Sequence, residues 1–175
     1  MRNLDKIAII GPESTGKSLL TKELARYFNA NSVSEYSRDY FENREYKYEI
    51  EDLISIAKGQ LCKEENIANS SSGLLFCDTD ILTIKIWSHI VFNTVPDWID
   101  EKVKTHTYQL YLLCNTDIEW ESDRFRKNDH NRQYIYNLFV KELERYNLNY
   151  RVVKGKGGVR LVNAVSFLEE FLKNG

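Results

Sequence analysis

The hydrophobic positions of the chain form two alternating kinds of pattern. Short and nearly continuous apolar runs occur at 6–10, 74–77, 108–114 and 150–153. Such runs are typical of strands that are buried on both faces. Between them, apolar residues recur every three or four positions over 18–28, 50–68, 81–92, 132–146 and 161–172. That spacing is typical of helices with one buried face. A weaker run at 32–35 is a candidate for one more strand.

The order of these elements predicts the fold class. Strands that alternate with helices, each strand nearly all apolar, favour a parallel sheet covered by helices on both faces. The chain has 175 residues, the length of one domain. We therefore predict a single α/β domain over 1–175, built as a three-layer α/β/α sandwich with a parallel sheet.

A glycine-rich segment, GPESTGKS at 11–18, lies between the first predicted strand and the first predicted helix. It matches the phosphate-loop (P-loop) pattern GxxxxGK[ST] at every defined position, and this pattern requires that context. Backbone N–H groups and the helix N-terminus there point at phosphate oxygens. The lysine can reach the β- and γ-phosphates of ATP or GTP, and the serine hydroxyl can coordinate Mg²⁺. The predicted nucleotide-binding residues here are Gly11, Glu13, Ser14, Thr15, Gly16, Lys17, Ser18 and Leu19.

Acidic residues follow two predicted strands, at the sheet edge where ligands of parallel sheets bind. Asp78 follows the run at 74–77, and it, or Asp80 two positions later, could hold Mg²⁺ or accept a proton from an attacking hydroxyl. A helix N-cap is the alternative role for Asp78 or Asp80. Glu35 ends the weaker strand and is followed by Arg38, so both could face a phosphate acceptor. A surface ion pair is the alternative for these two residues.

Two further segments carry candidate chemistry. The polar stretch 117–132 contains several arginines, which make bidentate contacts with phosphate. It is a candidate lid that excludes water and neutralises charge on the transferred group, although a solvated charged loop has a similar composition. The loop at 154–158, rich in lysine and glycine, could lie along the adenine or be a plain strand-to-helix turn.

Charge and composition exclude several other classes. The formal net charge is -2, from 24 basic and 26 acidic residues, which provides no overall attraction to nucleic acid or to an anionic membrane. The three cysteines form no CxxC pair, so we expect neither a disulfide framework nor a zinc site. No signal-peptide pattern and no apolar run of about 20 residues is present. We therefore expect a cytoplasmic protein with a small-molecule substrate, and the sequence gives no indication of oligomeric state.

Five motifs occur in a fixed order: GPESTGKS, EYSRDY, FCDTDILTIKIWS, YLLCNTDIEWESDRFR and a further arginine, Arg132. From about residue 6 to the C-terminus, the chain resembles the ribosylnicotinamide kinase domain of NadR-type proteins. The resemblance implies a P-loop fold of the nucleoside and nucleotide kinase type. It also implies transfer of the γ-phosphate of ATP, with Mg²⁺, to the 5′-hydroxyl of nicotinamide riboside. The product would be nicotinamide mononucleotide, in NAD salvage.

The resemblance also implies roles for individual residues. Lys17, Asp78, Glu35, Arg126 and Arg132 would be catalytic, with Asp78, or as the alternative Glu35, orienting and deprotonating the hydroxyl. Ser18 and Asp78 would serve the metal, and Arg126 would also contact the nucleotide. The acceptor would be bound by Glu35, Tyr36, Arg38, Asp78, Trp87, Trp120 and Asp123.

For the two tryptophans, stacking on the cationic nicotinamide ring is the functional reading and core packing is the alternative. The lid departs from the family pattern at Arg124, where a glycine is usual. Because the chain begins almost at the P-loop, without the histidine motif of an adenylyltransferase domain, we expect it only to phosphorylate.

Two other functions remain open at this stage. One is a kinase for a different nucleoside, such as a pyrimidine nucleoside. The other is a regulatory ATP- or GTP-binding module with slow hydrolysis. The chain has no NKxD-type guanine motif, since the sequence NTD at 115–117 is too short to serve, and this weakens the GTPase alternative.

Overall fold

A computed structural model describes residues 4–42, 48–106, 108–120 and 131–174. Its five strands are β1 (Asp5–Ile10), β2 (Asn31–Val33), β3 (Leu74–Asp78), β4 (Leu110–Cys114) and β5 (Tyr150–Val153). They form one sheet in the order β2-β3-β1-β4-β5, and every neighbouring pair is parallel. β1 is central, and its register places Ile9 beside Asp78 and Ile10 beside Leu113.

Seven helices are found in the described residues, and they cover both faces of the sheet. The helices are α1 (Lys17–Tyr27), α2 (Tyr36–Phe41), α3 (Ile50–Ala68), α4 (Ile81–Phe92), α5 (Asp97–Thr105), α6 (Arg132–Arg145) and α7 (Gly158–Asn174). Alternate residues of β1 face opposite ways: Ile7 and Ile9 pack with α1 and α7, whereas Ala8 and Ile10 belong to the core beneath the other helices. The predicted three-layer sandwich is therefore confirmed.

The region after β2 differs from the expected strand at 32–35. β2 ends at Val33, and Glu35 is instead the N-cap residue of a short helix, α2, that the apolar pattern does not predict. The helix is six residues long, too short for a helical repeat of apolar positions to stand out. Because this helix follows β2, Glu35 and Arg38 lie within one turn of each other, beside the end of β3.

The three cysteines differ in burial. Cys77 in β3 and Cys114 in β4 are fully buried and unpaired, whereas Cys62 in α3 is exposed. In the described part of the chain, no helix combines the length and apolar character that a membrane crossing requires.

Asp80 is a buried carboxyl group at the start of α4. It caps the helix, since its Oδ1 accepts hydrogen bonds from the backbone N–H of Thr83 at 2.9 Å and from the Thr83 hydroxyl at 3.0 Å. The N-cap alternative therefore describes Asp80. Burial raises the pKa of Asp80 from 3.8 to about 6, although the hydrogen bonds from Thr83 and Leu82 lower it.

This pKa predicts a pH-dependent contribution to stability. Between about pH 4 and pH 6 the folded protein keeps a proton on Asp80 that the unfolded chain releases, so stability falls as pH rises through this window. The shift corresponds to about 3 kcal/mol. Asparagine caps helices as well as aspartate and carries no titrating proton. The stability of Asp80→Asn relative to the wild type should therefore increase by about this amount as pH rises from about 4 to about 7. Urea unfolding of both proteins across that range measures the difference, and a difference that is constant with pH would contradict the prediction.

Candidate active site

The P-loop connects β1 to α1 at the centre of the sheet edge. Gly11 has φ +139°, and a Cβ at this position would lie 2.8 Å from the carbonyl oxygen of Cys114. Gly16 has φ +75° and immediately precedes α1. Glycine is therefore required at Gly11 both by its φ and by its close approach to β4. The loop places the N-terminus of α1 above β1, where an anion would meet it.

Lys17 is folded back over this loop. Its ammonium Nζ donates to the carbonyl oxygen of Pro12 at 2.8 Å, and the buried Thr15 hydroxyl donates to the same oxygen at 2.8 Å. The Lys17 carbonyl in turn accepts from the Thr21 hydroxyl at 2.9 Å. The positive charge of Lys17 thus lies at the curled loop, whose backbone is shaped to receive phosphate oxygens.

Asp78 lies beside the P-loop at the carboxyl end of β3. Its side chain is hydrogen-bonded to the Ser18 hydroxyl, and its Oδ1 is buried without a hydrogen-bond partner among the described residues. Burial raises the pKa of Asp78 above its ordinary value and the Glu35 carboxylate raises it further, whereas Ser18, Lys17 and Arg38 lower it. A carboxylate oxygen and a hydroxyl are ligands that Mg²⁺ accepts. The orphaned Oδ1 therefore fits an Mg²⁺ site that Ser18 and Asp78 share.

A cavity of about 510 Å³ opens over the P-loop. All eight residues of 11–18 line it, together with Leu19. We call the acceptor end the part of the lining on the β2 and β3 side of β1: Glu35, Ser37, Arg38, Thr79 and residues of α4, together with residues of α6, which packs in the same core as α4. We call the base end the part that follows β4 and β5, on the other side of β1: Ile118, Glu119 and Lys156, together with Leu19 of α1. A phosphate chain on the P-loop would lie between these two ends.

Glu35 and Arg38 lie together at the acceptor end, as their spacing in the sequence suggests. The Ser37 hydroxyl donates to Glu35 Oε1 at 2.6 Å, and Arg38 Nε donates to Oε2 at 3.3 Å. Both side chains line the cavity, and the Arg38 side chain is 44% exposed. Asp78, by contrast, is not among the lining residues, and it is buried behind them.

Trp87 lies at the cavity and also packs against neighbouring aromatic rings. Its ring lines the acceptor end, and it also packs edge-on against Tyr48 and Phe41 at centroid distances of 5.0 and 6.3 Å. Its Nε1 donates to the Tyr48 hydroxyl at 2.6 Å. The hydrogen bond fixes the orientation of the indole, so a flat ligand would meet a preorganised surface.

Tyr36 and Trp120 are not brought to the cavity wall. The ring of Tyr36 lies against α3 at Gly59, where any side chain would collide with it at 2.1 Å. Trp120 instead has the guanidinium of Arg132 at 5.9 Å from its ring centroid. Both side chains therefore contact neighbouring protein groups rather than the space where an acceptor would bind.

Arg132, at the start of α6, contacts the P-loop backbone. Its Nη2 donates to the carbonyl oxygen of Ser14 at 3.0 Å and its Nη1 to that of Ile118 at 3.0 Å. Burial lowers the pKa of Arg132, and the nearby Arg160 lowers it further. The arginine thus joins the P-loop to the segment after β4. The other lid residues of the sequence analysis, Asp123, Arg124 and Arg126, lie outside the described residues.

Several residues of the site were not identified from the sequence. Thr79 lines the cavity with φ +68°, and its N–H donates to the carbonyl oxygen of Ile9 at 3.0 Å. Ile135 and Phe139 of α6 line the acceptor end. Their helical spacing marks them as buried, but no pattern distinguishes a residue that faces a cavity from one that faces the core. Lys156 also lines the cavity, and it belongs to the loop at 154–158, for which contact with adenine and a plain turn are the alternatives.

Comparison with known proteins adds sequence evidence to this geometry. The family model AAA_28, described as an AAA domain, matches residues 6–160. The chain is 27% identical over 173 residues to the trifunctional NAD biosynthesis/regulator protein NadR of Escherichia coli (strain K12). The match covers 95% of this chain and 42% of NadR, so the chain spans about two fifths of the length of that relative.

Solved structures share the fold. NadR in complex with NR superposes with a TM-score of 0.84 at 21% identity, over 97% of this chain and 52% of that one. NadR in complex with NAD and AMP-PNP has a TM-score of 0.80 at 20% identity, over 97% of this chain and 49% of that one. Thymidylate kinase from Ehrlichia chaffeensis has a TM-score of 0.72 at 13% identity, over 95% of this chain and 99% of that one. The predicted P-loop fold of the nucleoside and nucleotide kinase type is confirmed, as is the resemblance to NadR.

Proposed function

The chain belongs to the AAA_28 family of AAA domains, and from this premise we propose that it is a small-molecule kinase that acts on nicotinamide riboside. It would transfer the γ-phosphate of ATP to the 5′-hydroxyl and produce nicotinamide mononucleotide. Similarity to NadR, whose solved structures include complexes with NR and with AMP-PNP, supports both the acceptor and the phosphate donor.

One observation carries the proposal: the P-loop and a second set of binding groups share a single cavity. A protein that only hydrolysed a nucleotide would need no second set of binding groups beyond the γ-phosphate. Here the acceptor end offers a carboxylate, Glu35, a guanidinium, Arg38, and an indole, Trp87. Ile86 and Ile90 of α4 line it with apolar surface. This combination suits a ligand with hydroxyl groups and a flat ring.

The chain's own residues would act mainly by binding and by stabilising charge. Lys17 would leave the Pro12 carbonyl and contact the β- and γ-phosphate oxygens, where charge spreads in a loose transition state. The P-loop N–H groups would hold the same phosphates in line with the acceptor. Ser18 and Asp78 would hold Mg²⁺, which when bound neutralises phosphate charge.

Proton transfer from the acceptor hydroxyl would fall to a carboxylate at the acceptor end. Glu35 lines the cavity, so its carboxylate can meet a hydroxyl directly. Asp78 is buried against Ser18, a position that suits the metal better than the acceptor. We therefore propose that Glu35 accepts the proton of the acceptor hydroxyl and that Asp78 holds Mg²⁺. Arg38 would orient the ribose, and Trp87 would stack on the cationic ring.

The lid remains part of the proposal. Arg126 would neutralise the transferred phosphoryl group and contact the nucleotide, and Asp123 would contact the acceptor. Arg132 holds the Ser14 carbonyl, so its contribution would come from positioning the P-loop beneath the phosphates. Its guanidinium could reach a phosphate only by releasing that carbonyl.

The test is an acceptor panel with purified protein and MgATP. Nicotinamide riboside should give the highest kcat/KM among nicotinamide riboside, pyrimidine nucleosides and purine nucleosides, with ADP formation and product mass as readouts. The Lys17→Met variant, purified in the same way, is the control, because any activity that it retains would come from contaminating kinases. A higher kcat/KM for a pyrimidine nucleoside would assign a different nucleoside kinase. ATP hydrolysis that no acceptor accelerates would favour the regulatory module.

A further inference from the structure

Asp117 and Arg160 form an ion pair that the P-loop mechanism does not use. Asp117 follows β4, and Arg160 lies in the first turns of α7. Arg160 Nη2 donates to Asp117 Oδ1, and the backbone N–H of Gly155 donates to Oδ2 at 2.6 Å. Both carboxylate oxygens of Asp117 therefore accept a hydrogen bond from the segment that follows β5.

Arg160 extends this contact to three backbone carbonyls. Its Nε donates to Gly155 at 2.9 Å, its Nη1 to Val153 at 3.3 Å and its Nη2 to Asn115 at 3.2 Å. Only 5% of Arg160 is exposed. The guanidinium thus joins the ends of β4 and β5, and its planar set of donors suits several fixed acceptors at once.

The loop held in this way is 154–158, which reaches the base end of the cavity. Gly155 has φ +100°, and a Cβ there would lie 2.8 Å from Val159 Cγ1. The next residue, Lys156, lines the cavity, and its Nζ lies 3.4 Å from Glu119 Oε1. The conformation of Gly155 therefore sets where Lys156 enters the cavity wall.

The direction of a bound nucleotide follows from in-line transfer. The γ-phosphate must face the acceptor end, so the base must extend from the other terminus of the triphosphate. That direction leads to the base end, at Leu19, Ile118 and Lys156. The ion pair lies behind this wall, and Asp117 itself is not among the lining residues.

We propose that Asp117 and Arg160 are positioning residues that shape the base end of the cavity and thereby set the affinity for the nucleoside part of the donor. This inference rests on the proposed use of a nucleoside triphosphate. Asp117 would act through the 154–158 loop, because its oxygens accept from Arg160 and Gly155 and it does not line the cavity. It therefore does not read the base itself, as the aspartate of a guanine motif would.

The test compares a ligand that carries a nucleoside with a ligand that consists of a phosphate chain alone. Calorimetry measures the Kd of AMP-PNP and of inorganic tripolyphosphate, each with Mg²⁺, for the wild type and for Asp117→Asn. In the variant, the asparagine N–H₂ group faces one of the two donors, the Gly155 N–H or Arg160 Nη2, and cannot accept its hydrogen bond. The 154–158 loop therefore loses a charge-assisted hydrogen bond. We expect the Kd of AMP-PNP to rise about tenfold. The Kd of tripolyphosphate should stay within about twofold, because the P-loop is untouched.

The matched control is Asp97→Asn, the same substitution at an exposed position in the first turn of α5. Equal weakening of both ligands, or no weakening of AMP-PNP, would overturn the proposal. If Asp117→Asn does not fold, Asn163→Ala removes the exposed hydrogen bond from Nδ2 to the Lys154 carbonyl at 3.0 Å. It should give a smaller loss, again selective for AMP-PNP, and no loss would overturn the proposal.

The measurement needs no acceptor, so it separates this inference from the identity of the acceptor. Failure to phosphorylate nicotinamide riboside would contradict the proposed function and leave the nucleotide result standing. A wild-type protein that bound tripolyphosphate as tightly as AMP-PNP would overturn the inference, because the base end would then contribute nothing.

Discussion

Glu35→Gln is expected to lower kcat by about 10²–10⁴-fold, because glutamine keeps the shape of the side chain and cannot accept the proton of the acceptor hydroxyl. KM for ATP should change little, since Glu35 lies at the acceptor end and the phosphates bind to the P-loop. Steady-state kinetics with ATP and nicotinamide riboside, each varied at saturating concentrations of the other, separate the two constants.

Two companion variants sharpen this result. Asp39→Asn changes a nearby carboxylate in α2. The Asp39 side chain is 54% exposed and its Oδ2 lies 2.6 Å from Lys63 Nζ, so kcat should remain unchanged. Asp78→Asn should instead raise the Mg²⁺ concentration needed for half-maximal rate. If Glu35→Gln kept its kcat while Asp78→Asn lost activity even at saturating Mg²⁺, the proton acceptor would be Asp78.

Lys85→Met is expected to destabilise the fold by about 3–5 kcal/mol, because it removes the cation from a buried ion-pair cluster. The Lys85 side chain is only 7% exposed, and its Nζ lies 2.8 Å from Asp100 Oδ1 and 2.6 Å from Glu142 Oε2. It also donates to the Tyr146 hydroxyl. Although burial lowers the pKa of Lys85, these three hydrogen bonds together raise it. Lys85 therefore stays charged in the fold.

The cluster joins α4, α5 and α6, two of which form walls of the acceptor end. Urea unfolding measures the loss, and a melting-temperature decrease of about 10 °C should accompany it. The control is Lys104→Met, which removes the other lysine on Asp100. Its side chain is 53% exposed, so the cost should stay below about 1 kcal/mol.

A double variant tests the cause of the Lys85 effect. When one partner of a buried pair is lost, most of the cost comes from the charge that is left uncompensated. Lys85→Met combined with Glu142→Gln should therefore be more stable than Lys85→Met alone. If the second substitution only added to the loss, the destabilisation would come from packing rather than from charge.

Several parts of the fold and site were predictable because their causes are local. A continuous apolar run that ends at Gly11 predicts β1 and the turn that follows it, since glycine is needed for a φ of +139° and a close approach to β4. The pattern of the P-loop requires only neighbours in sequence. Asp78 could be placed at the sheet edge because parallel strands end on the same side.

Other parts depend on contacts between distant segments, and no local pattern encodes them. The sequence predicts that Arg132 is a lid arginine, yet its guanidinium donates to the carbonyl oxygen of Ser14, 118 positions away. Asp117 and Arg160 are 43 positions apart and meet only because β4 and β5 are adjacent in the sheet. Tyr36 neighbours Glu35 in sequence but faces α3, because successive residues of a helix point in different directions.

The sequence by itself thus determined the alternation of strands and helices, the P-loop and the carboxylates at strand ends, because apolar periodicity and backbone chemistry act over a few residues. Only the tertiary structure decided that Glu35 faces the cavity while Asp78 lies buried beside Ser18. Exposure and charge environment arise from the packing of elements far apart in the chain. The proposed division of work between these two carboxylates therefore rests on the fold and not on a local pattern.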